Sequence, residues 1–254
     1  MIFEVSTWNY LCEKGEKADL DRAISEIIGD GFGVELWLGW YPDAEAVGRG
    51  NWDHLREILR DAPFVSLHTK LGDFDPDALR EEIDMCSFVG GRVLVVHSGT
   101  LGLSQDNPHN PAIGGISEYA LSKGVTLALE NGSPEILKCA ISDVDVFSGE
   151  GGLGICVDVG HANMLRGSYE SPVVEILDMF SERLVHLHLA DNFGEKDDHL
   201  TPGDGTIDWE SVASKLLAMG FDGSAAFEIN SKSARENALR GREFLEGLIG
   251  QMDG

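Results

Sequence analysis

The sequence predicts an α/β fold, a closed (β/α)8 TIM barrel forming a single domain over residues 1–254. Three observations carry this expectation. Eight short apolar strands are each followed by a stretch of helical spacing, with Gly or Pro punctuation between them. No linker, charge block or low-complexity stretch breaks the chain, whose 254 residues match the usual size of such a barrel. No GxGxxG follows the first strand, which removes the main support for an open dinucleotide-binding sheet.

The first apolar run, Ile2 to Thr7, leads into a polar-aromatic loop of Trp8, Asn9 and Tyr10. Asp19 to Ile28 has helical spacing, with Leu20, Ile24, Ile27 and Ile28 on one face; Gly31 and Gly33 end it before a second strand, Val34 to Leu38. The unit then repeats. Trp52–Leu59 is helical and leads to strand Phe64–His68; Pro76–Val89 leads to Val93–His97; Ile113–Ser122 leads to Val125–Glu130. Pro134–Phe147 precedes Leu153–Asp158, Val173–Phe180 precedes Leu184–Leu189, and Trp209–Met219 precedes Ser224–Ile229. Ala234–Ile249 closes the chain as an amphipathic helix. Strands such as Val93–Val96 are apolar throughout, as expected when both faces of a parallel strand are covered.

The totals narrow the function. A hydrophobic content of 43% supports a sizeable core and excludes a disordered chain. A formal charge of −25 argues against nucleic-acid binding through a general basic surface, although a local metal site can still contact phosphate. No basic leader with an apolar stretch occurs, and no apolar run approaches the roughly 20 residues that span a bilayer. Cys12, Cys86, Cys139 and Cys156 are widely spaced and form no CxxC pair, so the expectation is a reduced cytoplasmic protein with buried thiols and no membrane partner.

The chemistry concentrates at the carboxyl ends of the strands, where barrels of this kind build their sites. The third strand ends in His68, the fourth in His97, the fifth in Glu130, and the sixth in Asp158 with His161 just after. The stretch LVHLHLADNFGEKDDHLTPGDGTIDW supplies His188 from the seventh strand and Asp197 and His199 from its loop; the eighth strand ends in Glu228. Any one of these has an ordinary explanation as a hydrogen-bonded core residue or a solvated loop residue. A polar residue ending strand after strand of an apolar barrel is costly without partners, and a shared divalent cation supplies them. His186 faces the same way as His188 but deeper, as a packed or supporting histidine. His54 and His109 read as surface residues. Trp8, Trp37, Trp40 and Tyr41 form an aromatic wall for a sugar ring, with core packing as the ordinary alternative, and Lys70 is either an anion contact or a solvated loop lysine.

The segments LENGSP, CVDVGHAN, HLHLADN, DDHLTPGDGTIDW and FEIN resemble, in order and over nearly the whole chain, the xylose isomerase-like barrel superfamily. That group includes sugar and sugar-phosphate isomerases and epimerases, and also endonuclease IV. In the isomerase and epimerase branch the resemblance implies one divalent cation (Zn, Mn, Mg or Co) held by Glu130, Asp158, His188 and Glu228. It would stabilise an enediolate while Glu130 and Glu228 pass a proton as base and acid, with His161 touching the substrate. In the endonuclease IV branch it implies up to three zinc ions: His68 and His97 with Glu130 for the first, Glu130 bridging to Asp158, His188 and Glu228 for the second, and His161, Asp197 and His199 for the third. The loops after the first two strands offer Lys14 and Arg49 as nearly their only basic residues, which is poor equipment for gripping a duplex. The reading favoured on the sequence is therefore a metal-dependent isomerase or epimerase acting on a small sugar or sugar phosphate. The alternatives are a multinuclear-zinc phosphodiesterase and a non-catalytic barrel that binds a sugar or polyol.

Overall fold

The structure, a computed structural model, describes residues 1–147 and 153–252. Its eight strands, β1 (Ile2–Ser6), β2 (Gly33–Trp37), β3 (Val65–His68), β4 (Val93–Val96), β5 (Thr126–Glu130), β6 (Leu153–Asp158), β7 (Leu184–Leu189) and β8 (Ser224–Phe227), pair in sequence order into a closed barrel. Every ladder is parallel, and β8 returns to β1 through Ile2↔Ser224 to Val5↔Phe227. The expected fold class holds. The helices are α1 (Trp8–Lys14), α2 (Leu20–Gly29), α3 (Trp52–Leu59), α4 (Pro76–Phe88), α5 (Ala112–Ser122), α6 (Pro134–Phe147), α7 (Val159–Asn163), α8 (Pro172–Met179), α9 (Trp209–Met219) and α10 (Ala234–Met252). None of the described helices is long and apolar enough to cross a membrane.

The core lies mainly between the barrel and its helices, where Leu36, Leu67, Leu94, Leu127, Ile155, Leu187 and Phe227 meet the apolar faces of the helices. These faces are the ones set by the 3.6-residue spacing, for example Leu20, Ile24 and Ile27 of α2. Much of the acidity has a structural use. Asp19, Asp75, Asp158 and Asp208 each accept a backbone N–H in the first turn of α2, α4, α7 and α9, where unpaired donors and the helix dipole favour a carboxylate.

Three details differ from expectation. Trp8, Asn9 and Tyr10 belong to α1 and do not form a loop. Asn9 explains why the chain turns there: its amide donates to Phe227 O (2.9 Å) and accepts from Ile229 N (2.9 Å), continuing the β1–β8 seam after the backbone ladder stops. The strand ladders also stop earlier at the mouth. β4 ends at Val96 and β8 at Phe227, so His97 and Glu228 stand one residue past their strands. Of the four thiols, Cys86 and Cys156 are buried, whereas Cys12 and Cys139 are only half-buried.

Candidate metal centre and active site

The carboxyl ends of the strands bring the expected ligands together around Glu130, the last residue of β5. Its two oxygens face different neighbours. Oε1 lies 2.9 Å from His161 Nδ1 and 3.7 Å from His188 Nδ1. Oε2 lies 3.5 Å from His68 Nε2 and 3.2 Å from His97 Nε2, and those two nitrogens are themselves 3.2 Å apart. His188 Nδ1 is further placed 3.7 Å from Asp158 Oδ2 and 3.4 Å from Glu228 Oε2. Asp197 Oδ2 joins His161 Nε2 (3.0 Å) to His199 Nε2 (2.8 Å) on the outer side of the same cluster.

The residues fit a cation. Glu130 Oε2, Asp158 Oδ2 and His188 Nδ1 are buried and have no hydrogen-bond partner, although burying such atoms unsatisfied is costly. Several spacings around them lie between 3.2 and 3.7 Å. This is close to the roughly 3.3 Å separating tetrahedral ligands that each sit about 2.0–2.1 Å from one ion. Groups that could hold a metal include His68–Glu130–His188, Glu130–Asp158–His161 and Glu35–His188–Glu228.

Electrostatics point the same way. Burial alone would depress the histidines, yet the facing Glu130 carboxylate and the other carboxylates around it push His68 up to about 9, and Asp197 does the same for His199, to about 9. Asp158, followed by Asp197 and Glu130, pushes His161 up to about 12. His97 and the deeper His186, both governed by burial, move down. A cluster that draws protons onto its imidazoles so strongly has an excess of negative charge that a cation would balance. The two glutamates separate. Burial raises Glu228 to about 7, whereas Glu130, despite its burial, is held well below the carboxylate range by His161 and His188.

The motifs are explained by what holds these side chains. Asn131 of LENG brackets Asp158, its Oδ1 accepting from Asp158 N and its Nδ2 donating to Asp158 O (3.2 Å). Asp158 divides its own carboxylate, Oδ1 accepting from His161 N (2.7 Å) at the start of α7 while Oδ2 stays turned to the cluster. The LADN segment holds the loop that carries Asp197 and His199. Asp191 Oδ1 accepts from Asn192 N (2.9 Å) and Ile207 N (3.2 Å), and its Oδ2 accepts from Gly203 N (2.9 Å) and Trp209 Nε1 (2.8 Å). A Cβ on Gly205 would come within 2.2 Å of Asp191 Oδ1, so the second glycine of PGDG is required by close approach. His199 takes φ 48° and donates from Nδ1 to Glu228 O (2.9 Å), which leaves Nε2 directed at Asp197.

Not every expected contact lies here. The Trp8 ring sits 4.7 Å from that of His199, at the cluster. The Trp37 ring lies so near Gly39 that a Cβ there would come within 2.4 Å of it. Trp40, 2% exposed, is a core residue, and Tyr41, 58% exposed, projects from the surface, so four aromatics do not form one wall. Lys70 lines a separate cleft with Arg49, Glu81 and Glu82, and among the described residues no hydrogen bond or ion pair ties it to the cluster. His54 pairs with Asp21 (2.7 Å) and His109 with Asp143 (2.9 Å), and both are exposed, as expected of surface residues.

Two carboxylates inside the barrel, Glu4 and Glu35, were not anticipated, although a charge inside the short apolar runs IFEVS and VELW was their signal. Both are 0% exposed. Glu35 Oε2 lies 3.2 Å from His186 Nε2 and 3.1 Å from His188 Nε2, which gives His186 the supporting place expected of it. Glu4 Oε1 accepts from Ser66 N (3.1 Å) and Ser66 Oγ (2.9 Å). Burial first, and the neighbouring Glu35 charge second, push Glu4 from 4.5 up to about 8. The folded chain therefore holds this proton more tightly than the unfolded one, and stability falls as pH rises from the unfolded value through about 8. Glu4→Gln, which mimics the protonated acid, is expected to flatten this loss. Denaturant melts at pH 5 and pH 9 should show the variant gaining about 1–3 kcal/mol on wild type across that window.

A family description of Xylose isomerase-like TIM barrel matches residues 33–248. The chain belongs to this family. Within it, the chain is similar to the uncharacterized protein MJ1311 of Methanocaldococcus jannaschii, at 29% identity over 214 residues, covering 76% of this chain and 70% of that protein. Among solved structures it superposes on a D-tagatose 3-epimerase-like protein with a TM-score of 0.77 at 22% identity, covering 100% of both chains. It also superposes on the IOLI protein with a zinc atom, TM-score 0.70 at 17% identity, covering 99% of both. At these identities the structural likenesses of this xylose isomerase-like barrel speak to fold.

Proposed function

We propose that this chain is a divalent-metal-dependent sugar or sugar-phosphate isomerase or epimerase. The observation that carries the reading is that His188 Nδ1, buried and unpartnered, faces three carboxylates at once, Glu130 Oε1 and the equally unpartnered Asp158 Oδ2 at 3.7 Å and Glu228 Oε2 at 3.4 Å. The likeness to a 3-epimerase-like structure adds to it.

Glu130, Asp158, His188 and Glu228 would hold the cation. When bound, it supplies Lewis-acid polarisation of a ketose or aldose oxygen. Glu130, held ionised, would be the carboxylate open to a proton from the carbon beside the carbonyl, and Glu228, raised to about 7, would return one near neutral pH. Environments that push two carboxyls apart in this way fit an acid and base pair. His161, between Glu130 and Asp197, would contact a substrate hydroxyl, and the Trp8 ring would offer an apolar face to the sugar.

A second reading, a multinuclear-zinc phosphodiesterase, is favoured by the divided Glu130 carboxylate, whose Oε2 faces His68 and His97 while Oε1 faces His161 and His188. The basic residues near the first two loops are otherwise engaged, Lys14 with Glu13 and Arg49 over the Trp52 ring at 5.3 Å. Elemental analysis of the purified chain, joined to a solvent-deuterium exchange assay over a panel of ketoses and their phosphates, separates the two. One tightly held cation and deuterium at the carbon beside the carbonyl are expected. Three zinc ions with cleavage of abasic DNA and no exchange would reject the isomerase reading.

A further inference from the structure

His188 is the one candidate ligand whose ring is gripped from behind by a carboxylate on a strand that is not its neighbour. Glu35 on β2 reaches across the barrel lumen to β7, past β1 and β8. Its flanking register partners are small, Ser6 on β1 and Ser66 on β3, and the register partner of His188 on β8 is Ala226. The lumen is thus cleared for a side chain whose Oε2 meets two imidazoles at once, His186 Nε2 at 3.2 Å and His188 Nε2 at 3.1 Å.

We propose that Glu35 is a positioning residue that fixes the tautomer of His188, so that Nδ1 is the nitrogen presented to the cation. A carboxylate oxygen only accepts, so each ring nitrogen facing it carries hydrogen. The second imidazole strengthens the arrangement: His186 Nδ1 lies 2.7 Å from Ser224 Oγ, which can donate to it and so leaves hydrogen on His186 Nε2 for Glu35. With its Nε2–H engaged, His188 has Nδ1 free, and that atom is the unpartnered one among Glu130, Asp158 and Glu228. A carboxylate behind a ligating imidazole orients the ring and raises its basicity as a donor. The cost of burying Glu35 at the centre of the barrel is explained by this task.

The role rests on the metal-site reading above, and its test separates the two. Zinc is titrated into wild-type and Glu35→Gln chains against a chromophoric chelator. Gln keeps the volume and can still turn its amide oxygen to both histidines, but it removes the negative charge that strengthens His188 as a donor, so the affinity for the first zinc equivalent is expected to fall by about 10- to 100-fold. Independently, 15N-histidine NMR of the zinc-loaded wild type should find His188 metal-bound at Nδ1 with hydrogen on Nε2, a readout that does not require the variant to fold. Zinc affinity within twofold of wild type, or zinc on His188 Nε2, would overturn the assignment. A wild-type chain that takes up no zinc in the same titration rejects the metal-site reading, and this role with it.

Discussion

Glu228→Gln is expected to lower turnover by about 10²- to 10⁴-fold, the usual worth of a positioned acid or base. The substitution keeps the shape of a side chain that is only 8% exposed and leaves an oxygen that can still face the cation. It removes the carboxyl that burial has raised to about 7. The measurement is steady-state turnover of whichever ketose exchanges deuterium, made at saturating cation with bound metal quantified in the same samples. The KM should move little and the exchange at carbon should disappear with turnover. Turnover within tenfold of wild type would remove Glu228 from the proton transfer and leave it as a ligand only.

Asp191→Ala is expected to be the most damaging single change outside the ligand set. Asp191 is 0% exposed, and its carboxylate accepts from three backbone N–H groups and the Trp209 indole. Truncation orphans those donors in a buried site and opens a cavity beside the PGDG turn, mechanisms that together cost about 3–5 kcal/mol. The backbone pairing of Asp191 with Leu200, 2.8 Å in both directions, holds the loop that presents Asp197 and His199. Chemical denaturation should report the loss of stability. Uptake of cation by the remaining ligands, measured on the folded fraction, should survive better than the His161–Asp197–His199 arrangement, which the 15N-histidine spectrum can follow. A loss below about 1 kcal/mol would mean that water replaces Asp191 as the acceptor.

The barrel was legible because its signals are local and repeated. Runs such as VLVV and helical faces such as Leu20, Ile24 and Ile27 can be read without knowing any partner. The candidate ligands were legible for a related reason: the parallel barrel puts every strand's carboxyl end on one face, so position within the strand already says where His68, Glu130, Asp158 and His188 go. What escaped was set by contacts across the lumen or between distant loops. The role of Glu35 depends on β7, some 150 residues later, and its alternation within VELW says only that it points inward. Helix α1 was missed because its start has no side-chain cap and its anchor, Asn9, is held by β8. Trp40 and Tyr41 adjoin in sequence yet end in the core and on the surface, a division set by tertiary packing.

The acidic helix caps have a consequence for traffic to and from the mouth. In a (β/α) barrel each helix that follows a strand begins on the face where that strand ends, so Asp75, Asp158 and Asp208 all gather on the mouth side. With a total of −25, that face should act as an electrostatic funnel for small cations and a barrier to polyanions. Association of a divalent cation should therefore slow steeply as salt shortens the range of the field to about 8–10 Å near physiological strength. A phosphorylated sugar would meet repulsion on approach and rely on the cation for its welcome, whereas an uncharged sugar would enter at a rate almost indifferent to salt.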